Sequence, residues 1–181
     1  MKRISLLRHP SSPAPTLRIF EVGLERTSED ALSLTFDMRA DPAALQWPVP
    51  QTPAFRDGLW QHTCLELFAA AVGSAYREFN FSPSGEFAIY DFDAYRSGMR
   101  AVQPARPPRI HSAADEAGWT VGVVVPAELL VTAAGAAHRL GVTAVLEGRD
   151  GALSYWAVHH PAERPDFHDR GGFVLTWPPA S

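Results

Sequence analysis

Residues 57–99, DGLWQHTCLELFAAAVGSAYREFNFSPSGEFAIYDFDAYRSGM, decide the predicted fold because they divide into short, regularly alternating segments. In a β-strand successive side chains point to opposite faces, so alternation with a period of two predicts strands. We predict neighbouring strands at residues 62–72 and 76–82. Residues 82–86, SPSGE, form a turn, since proline and glycine suit its backbone angles. The chain then returns as a third strand over residues 86–92.

One face of these predicted strands carries an unusual combination of polar, charged and aromatic side chains. Thr63, Leu65 and Leu67 share one face of the first strand, and Phe79 and Phe81 share one face of the second. A half-buried strand usually places only Lys, Thr and Ser on its other face. Here that other face carries an imidazole, carboxylates, an amide and aromatic rings, which suit a hydroxyl-rich ligand. Its members are His62, Cys64, Glu66 and Phe68, followed by Tyr76, Glu78, Asn80 and Ser82.

The rest of the chain is also predicted to be strand-rich. Sixteen prolines and thirteen glycines divide it into short segments, and hairpins are predicted at residues 17–38, 109–125 and 142–158. A single helical turn is predicted at residues 126–130. About ten short strands with minimal helix are typical of an all-β, antiparallel β-sandwich, with a Greek-key barrel as the alternative. We expect one domain over residues 1–181.

The composition excludes several classes of protein. Hydrophobic residues make up 46% of the chain and charged residues 20%, and the net charge is -4 at pH 7. These values and the scattered arginines give no reason to expect a nucleic-acid partner. The apolar run at residues 4–7 is too short for an export signal, and no segment is long enough to span a membrane. A single cysteine, Cys64, cannot form an intrachain disulfide, so we expect a cytoplasmic protein.

Four blocks of sequence resemble a known family, the bacterial DOMON-like proteins, which are related to family 9 carbohydrate-binding modules. The blocks are LWQHTCLELF (residues 59–68), YREFNFSPSGEFAIYDFDAYRSGM (76–99), LEGRDGALSYWAVHHP (146–161) and PDFHDRGGFVL (165–175). The resemblance covers most of residues 18–175. It implies a β-sandwich that binds a ligand, either a sugar or haem, without catalysing a reaction.

The residues themselves indicate how a sugar would be held. An aromatic ring stacks on the apolar face of a pyranose, and carboxylate or amide groups hydrogen-bond its adjacent hydroxyls. The same residues also suit structural roles, with the tryptophans in the core and the glutamates in ion pairs with Arg77 or Arg96. The candidate ligand-binding residues are Trp60, His62, Glu66, Tyr76, Glu78, Asn80, Arg96, Trp156, His160 and His168.

A metal site and a haem site are the alternatives that would require a cofactor. His62 and Cys64 are two residues apart on one predicted strand, and a third metal ligand would come from a neighbouring strand or from the histidines at 159, 160 and 168. A buried, unreactive thiol is the competing interpretation, and the one we favour. For haem, the relatives use Met and His as axial ligands, and this chain offers Met38 and Met99. No CxxCH motif is present, so any haem would be non-covalent.

No catalytic motif is present, so we do not expect an enzyme. The chain lacks GxSxG, a P-loop and a glycine-rich dinucleotide loop. The sequence therefore predicts a non-catalytic protein that binds a small polar ligand, a saccharide or a cell-wall precursor, and needs no cofactor. Two alternatives remain open: a haem or metal protein, and a protein-interaction module that uses an exposed sheet edge.

Overall fold

The computed structural model describes residues 2–13, 17–132 and 135–177, and in this part of the chain the fold consists of two facing antiparallel sheets and a short ribbon. The first sheet has five strands in the spatial order β1-β3-β4-β10-β9. Its strands are β1 (Lys2–Ser5), β3 (Leu17–Arg26), β4 (Leu32–Ala40), β9 (Arg109–Asp115) and β10 (Gly118–Val125).

The second sheet has eight strands in the order β2-β14-β13-β5-β6-β7-β8, and β15 also pairs with β13. These strands are β2 (Leu7–Arg8), β5 (Cys64–Ala70), β6 (Tyr76–Phe81), β7 (Phe87–Phe92), β8 (Arg100–Ala101), β13 (Arg139–Glu147), β14 (Leu153–Ala157) and β15 (Leu175–Thr176). The ribbon pairs β11 (Val131–Thr132) with β12 (Gly135–Ala136). The predicted β-sandwich and its three outer hairpins are confirmed.

Helical structure in the described residues is limited to four short 3₁₀ segments, Pro42–Ala44, Leu59–Gln61, Ala127–Leu130 and Arg170–Gly172. The third lies where the sequence predicts a helical turn. None of the described segments forms a helix long and apolar enough to cross a membrane.

Strand alternation builds the core between the two sheets. In β4 buried residues alternate with partly exposed ones, which is the pattern of a strand with one face in the core. The facing core residues of the second sheet are the apolar side chains of β5, β6 and β7 that share a face with Leu65 and Phe79. The sequence predicted this inner face.

The N-terminal strands were not predicted. β1 pairs with β3 in the first sheet and β2 pairs with β14 in the second, so the chain passes from one sheet to the other at the buried residue Leu6. The strands are only four and two residues long. Segments this short carry too few residues for alternation to be recognised.

Candidate ligand-binding site

The outer face of the second sheet forms the floor of the site. Strand register places Glu66 of β5 opposite Asn80 of β6 and Thr143 of β13. In the next row Phe68 of β5 lies opposite Glu78 of β6. Unlike a solvated face, this one is buried: β5 and β6 are buried at every position. Apart from His62, which precedes β5, the residues predicted to share a face on β5 and β6 do so, and other segments cover this face.

Three segments lie over the floor and enclose a cavity of about 370 Å³. The 3₁₀ segment Leu59–Gln61 contributes Trp60, the turn after β7 contributes Arg96 and Met99, and the segment before β15 contributes Pro165, Phe167 and His168. The floor and walls are completed by Glu66, Phe68, Glu78, Tyr90, Phe92, Val145 and Tyr155. A mainly apolar and aromatic cavity with a few converging polar groups is the usual form of a small-molecule site.

Two buried carboxyl groups line this cavity. Thr143 Oγ1 donates to Glu66 Oε2 at 2.8 Å, and Asn80 Nδ2 donates to Glu78 Oε1 at 2.7 Å. Burial raises the pKa of both carboxyl groups well above the usual range, and for Glu66 the nearby charge of Glu78 adds to the effect. The site therefore holds two acidic groups that resist ionisation in the free protein.

No arginine pairs directly with these two carboxyl groups among the described residues. Arg77 is bonded to Asp91 through two nitrogens, at 2.7 and 2.9 Å, and lies on the inner side of the sheet. Arg96 donates to Asp166 at 3.0 Å. The ion-pair interpretation of the glutamates is thus wrong for both arginines.

His168 is held in a defined orientation. Its Nδ1 lies 2.8 Å from the hydroxyl of Tyr76, and that hydroxyl accepts from the backbone N–H of Arg96 at 3.1 Å. The other ring nitrogen, Nε2, faces Glu78 Oε2 at 3.8 Å. Burial lowers the pKa of His168 to about 4. His168 is therefore neutral at neutral pH, with its ring fixed between Tyr76 and Glu78.

The turn that carries Arg96 has an unusual backbone. Arg96 has φ of 51°, in the left-handed region that side-chain-bearing residues rarely adopt. A hydrogen bond from its backbone N–H to the Tyr76 hydroxyl and an ion pair with Asp166 hold Arg96 in this conformation. Non-glycine residues in such conformations concentrate at functional sites, so this turn adds to the evidence for the cavity.

A second chain of polar side chains lies on the same outer face of the sheet. The Cys64 thiol donates to Asn80 Oδ1 at 3.4 Å, and Asn80 in turn donates to Glu78. Cys64 is fully buried, and burial together with the nearby Glu66 raises the pKa of its thiol. The predicted burial of this thiol is confirmed, and its low reactivity stays a prediction. Asn80 positions Glu78 rather than lining the cavity.

Five of the ten predicted ligand-binding residues do not line the cavity. Tyr76 and Asn80 instead hydrogen-bond His168 and Glu78, which do line it. Trp156 points into the core between the sheets, where its ring lies 5.6 Å from that of Phe20. His62 is exposed, because β5 begins only at Cys64, and its Nδ1 bonds Glu147 at 2.9 Å. His160 bonds the carbonyl of Leu7 at 2.8 Å. The prediction is corrected for these five residues.

Tyr155 and Phe167 line the cavity but were not predicted. Tyr155 lies opposite Val145 on the outer face, whereas its neighbour Trp156 lies opposite Ala144 on the inner face. The alternation of β14 contained this information, since residues 154 and 156 share the core face. We predicted Trp156 from its residue type, but the alternation of β14 places Tyr155, and not Trp156, on the outer face. Phe167 lies in an irregular segment, where no periodicity signals its direction.

The residues proposed for a metal site do not come together. The side chain of His62 is paired with Glu147, while Cys64 is buried under Asn80. Within the described ranges, no group of three or more His, Cys, Asp and Glu side chains is arranged to hold a metal ion. Of the two methionines considered for haem, Met38 is fully buried in the core and Met99 lines the cavity with His168.

Comparison with known proteins supports the architecture. No family model matches the chain, and no curated protein matches it. The resemblance to the DOMON-like proteins therefore stays a prediction. The fold is similar to the crystal structure of a "putative carbohydrate-binding protein" from Bacteroides uniformis ATCC 8492. The match has a TM-score of 0.65 and 15% sequence identity, and covers 95% of this chain and 83% of that one. At this identity the likeness shows the fold alone.

Proposed function

We propose that this protein binds a saccharide, or a cell-wall precursor that contains one, in the cavity over the outer face of the second sheet, without transforming it. The observation that carries the proposal is that Glu66 and Glu78 are both buried in one aromatic-walled cavity. Burying two carboxyl groups without a paired cation lowers stability. The fold gains nothing evident from this arrangement, whereas a polyhydroxylated ligand gains hydrogen-bond partners.

The walls supply the second requirement of sugar binding. Trp60 is 37% exposed and meets Tyr90 edge-on at 5.8 Å, so one face of its ring remains accessible. Tyr155 and Phe167 also line the cavity. Aromatic faces of this kind cover the apolar C–H surface of a pyranose, while His168 and the two carboxyl groups address its hydroxyls. The similar fold of the Bacteroides uniformis protein is compatible with this function.

Calorimetric titration of the full chain with a panel of monosaccharides and disaccharides tests the proposal. We expect Trp60→Ala to weaken the binding of a responding sugar about tenfold or more, as removal of a central aromatic anchor does. Unfolding stability should change little, since Trp60 is partly exposed. Val49→Ala is the matched control, because Val49 is an exposed apolar side chain that does not line the cavity. Failure of every sugar to bind, or equal binding by both variants, would contradict the proposal.

Non-covalent haem is the second candidate, because Met99 and His168 line the same cavity. The residues do not fit the group well. The nitrogen of His168 that is free to bind iron, Nε2, already lies 3.8 Å from the Glu78 carboxylate. Tyr76 occupies the other ring nitrogen. A strong absorption band in the Soret region of the purified protein would favour haem over a saccharide as the ligand.

The protein-interaction alternative is less well supported. It predicts a continuous exposed apolar patch and no concavity, whereas the predicted polar face forms the floor of a cavity.

A further inference from the structure

We infer that the cavity selects a sugar that carries a free amine, whose ammonium group lies against Glu66 and Glu78 while its ring lies against the aromatic wall. This inference rests on the proposed saccharide function and narrows it to one ligand class.

The first argument is the direction of the Glu66 carboxylate. Glu66 is 2% exposed, and the hydrogen bond to its carboxyl group within the described chain comes from Thr143 to Oε2. No fully buried side-chain oxygen of the described residues lacks a partner. Oε1, which makes no such bond, therefore faces the open space of the cavity. A nearly buried carboxylate oxygen is thus presented to whatever occupies the site.

The second argument is the charge of the cavity wall. Arg96 is the one cationic side chain among the described lining residues, and its guanidinium already pairs with Asp166 and lies 5.7 Å from the Tyr95 ring centre. His168 is neutral at neutral pH. Glu66 therefore has no counter-charge of its own, and Glu78 feels only the charge of Arg96, which Asp166 already partly neutralises. A ligand cation would complete the electrostatics of the site.

The third argument is donor geometry. A sugar hydroxyl offers one proton and no charge, whereas an ammonium group offers three donors and a positive charge. Glu66 Oε1 and Glu78 Oε2 are acceptors at adjacent positions of the floor, since their residues lie on neighbouring strands one row apart. Hydrogen bonds to ionised groups are roughly twice as strong as neutral ones. An amine is thus the substituent that gains most from this floor.

Binding should also release a proton. In the free protein burial, joined at Glu66 by the charge of Glu78, raises the pKa of these carboxyl groups to about 8 for Glu66 and about 7 for Glu78, so both are protonated near pH 6. An ammonium ligand requires at least one of them to ionise. The other titratable or charged groups around the pair are Cys64 on β5, Tyr76 on β6, Tyr90 on β7 with Asp57 behind it, Arg96 and Asp166 at the rim, Tyr155 on β14, and His168. Of these groups only Arg96 is cationic at neutral pH; its charge lowers the pKa of Glu78 but is shared with Asp166, and Glu66 has no such partner.

The test is calorimetric titration of the full chain at about pH 6 with glucosamine, glucose and N-acetylglucosamine, each in two buffers of different ionisation enthalpy. We expect glucosamine to bind about tenfold or more tightly than the other two. Its binding heat should depend on the buffer in proportion to a release of about one proton. In Glu66→Gln the ratio of glucosamine to glucose affinity should fall towards one, and proton release should decrease. Glu116→Gln, at an exposed residue in the turn after β9, should leave the affinity ratio and the proton release unchanged.

The outcomes separate the two proposals. If glucose or N-acetylglucosamine binds as tightly as glucosamine, the amine inference is wrong and the saccharide function stands. If none of the three binds, and no sugar of the wider panel binds, the proposed function fails with it. If 1,4-diaminobutane binds as tightly as glucosamine, the site recognises amines without recognising a sugar ring, which also overturns the inference. Should Glu66→Gln fail to fold by circular dichroism, Glu78→Gln provides the same comparison.

Discussion

Gly141→Ala tests how the cavity wall is held in place. Gly141 lies on β13 opposite Phe68, on the outer face of the second sheet. A methyl carbon added there would lie 2.6 Å from Phe173 Cδ1 and 3.2 Å from Cε1. Since attractive carbon contacts begin near 3.5 Å, the Phe173 ring would have to retreat by about 1 Å. Only glycine therefore leaves room for this ring.

The ring has little freedom to retreat. Phe173 is 2% exposed and stacks on Phe68 with centroids 5.4 Å apart. Its backbone N–H donates to the carbonyl of Arg170 at 3.1 Å. Overpacking of this kind costs about 1–3 kcal/mol, and we expect Gly141→Ala to lower the free energy of unfolding by that amount. Because Phe68 also packs against His168 at 5.4 Å, sugar binding should weaken in the same variant.

Urea unfolding followed by circular dichroism measures the effect. Gly122→Ala is the matched control: it lies inside β10, and its added methyl would meet only the His111 carbonyl oxygen at 4.0 Å. We expect that change to be neutral or stabilising by up to about 1 kcal/mol. In a Phe173→Ala background, Gly141→Ala should cost less than about 0.5 kcal/mol, since the opposing ring is gone. An equal cost in both backgrounds, or a cost equal to that of Gly122→Ala, would refute the steric explanation.

Three further predictions concern buried polar groups. Because burial raises the pKa of Glu66 and Glu78, the folded state holds protons that the unfolded chain releases. The lowered pKa of His168 acts in the opposite direction below about pH 6.5. The free energy of unfolding should therefore fall as pH rises from about 6.5 towards about 8, and Glu66→Gln should flatten that part of the profile in urea titrations; a rise over this range would contradict the prediction. Cys64→Ala should fold and lose about 1–2 kcal/mol. The native thiol should react slowly with a thiol reagent at neutral pH, and rapid labelling would show that Cys64 is accessible. Arg77→Ala should cost about 3–5 kcal/mol, because it leaves a partly buried carboxylate and two backbone carbonyls without their donor. Arg106→Ala, which breaks an exposed ion pair, should cost less than about 1 kcal/mol, and similar losses in the two variants would argue against a special role for burial.

The hairpins were predictable because their determinants are local. Alternation and turn residues act within a dozen positions, and they gave β3 with β4, β9 with β10, and β13 with β14. The N-terminal strands were not predictable, because they are too short to show a period and because β2 pairs with β14, which lies far along the chain. The boundary of β5 fell two residues later than predicted, which removed His62 from the polar face.

The candidate site was likewise predictable only in part. Strand periodicity alone placed Glu66, Glu78 and Asn80 on one face, and the structure confirms that arrangement. The same alternation in β14 would have predicted Tyr155, rather than Trp156, as a residue of the site. It could not show that Trp60 and Phe167, from segments about a hundred residues apart in the chain, meet over that face to form a cavity.

The sequence by itself determined the sandwich, its main hairpins and the chemistry of one sheet face, because a period of two dictates which side chains share a face. Only the tertiary structure decided that this face is covered rather than solvated. That difference controls its chemistry, because the same carboxyl groups exposed to water would ionise normally and hold no particular ligand. Burial beneath distant segments, a property of long-range packing, raises their pKa values and turns a polar stripe into a candidate binding site.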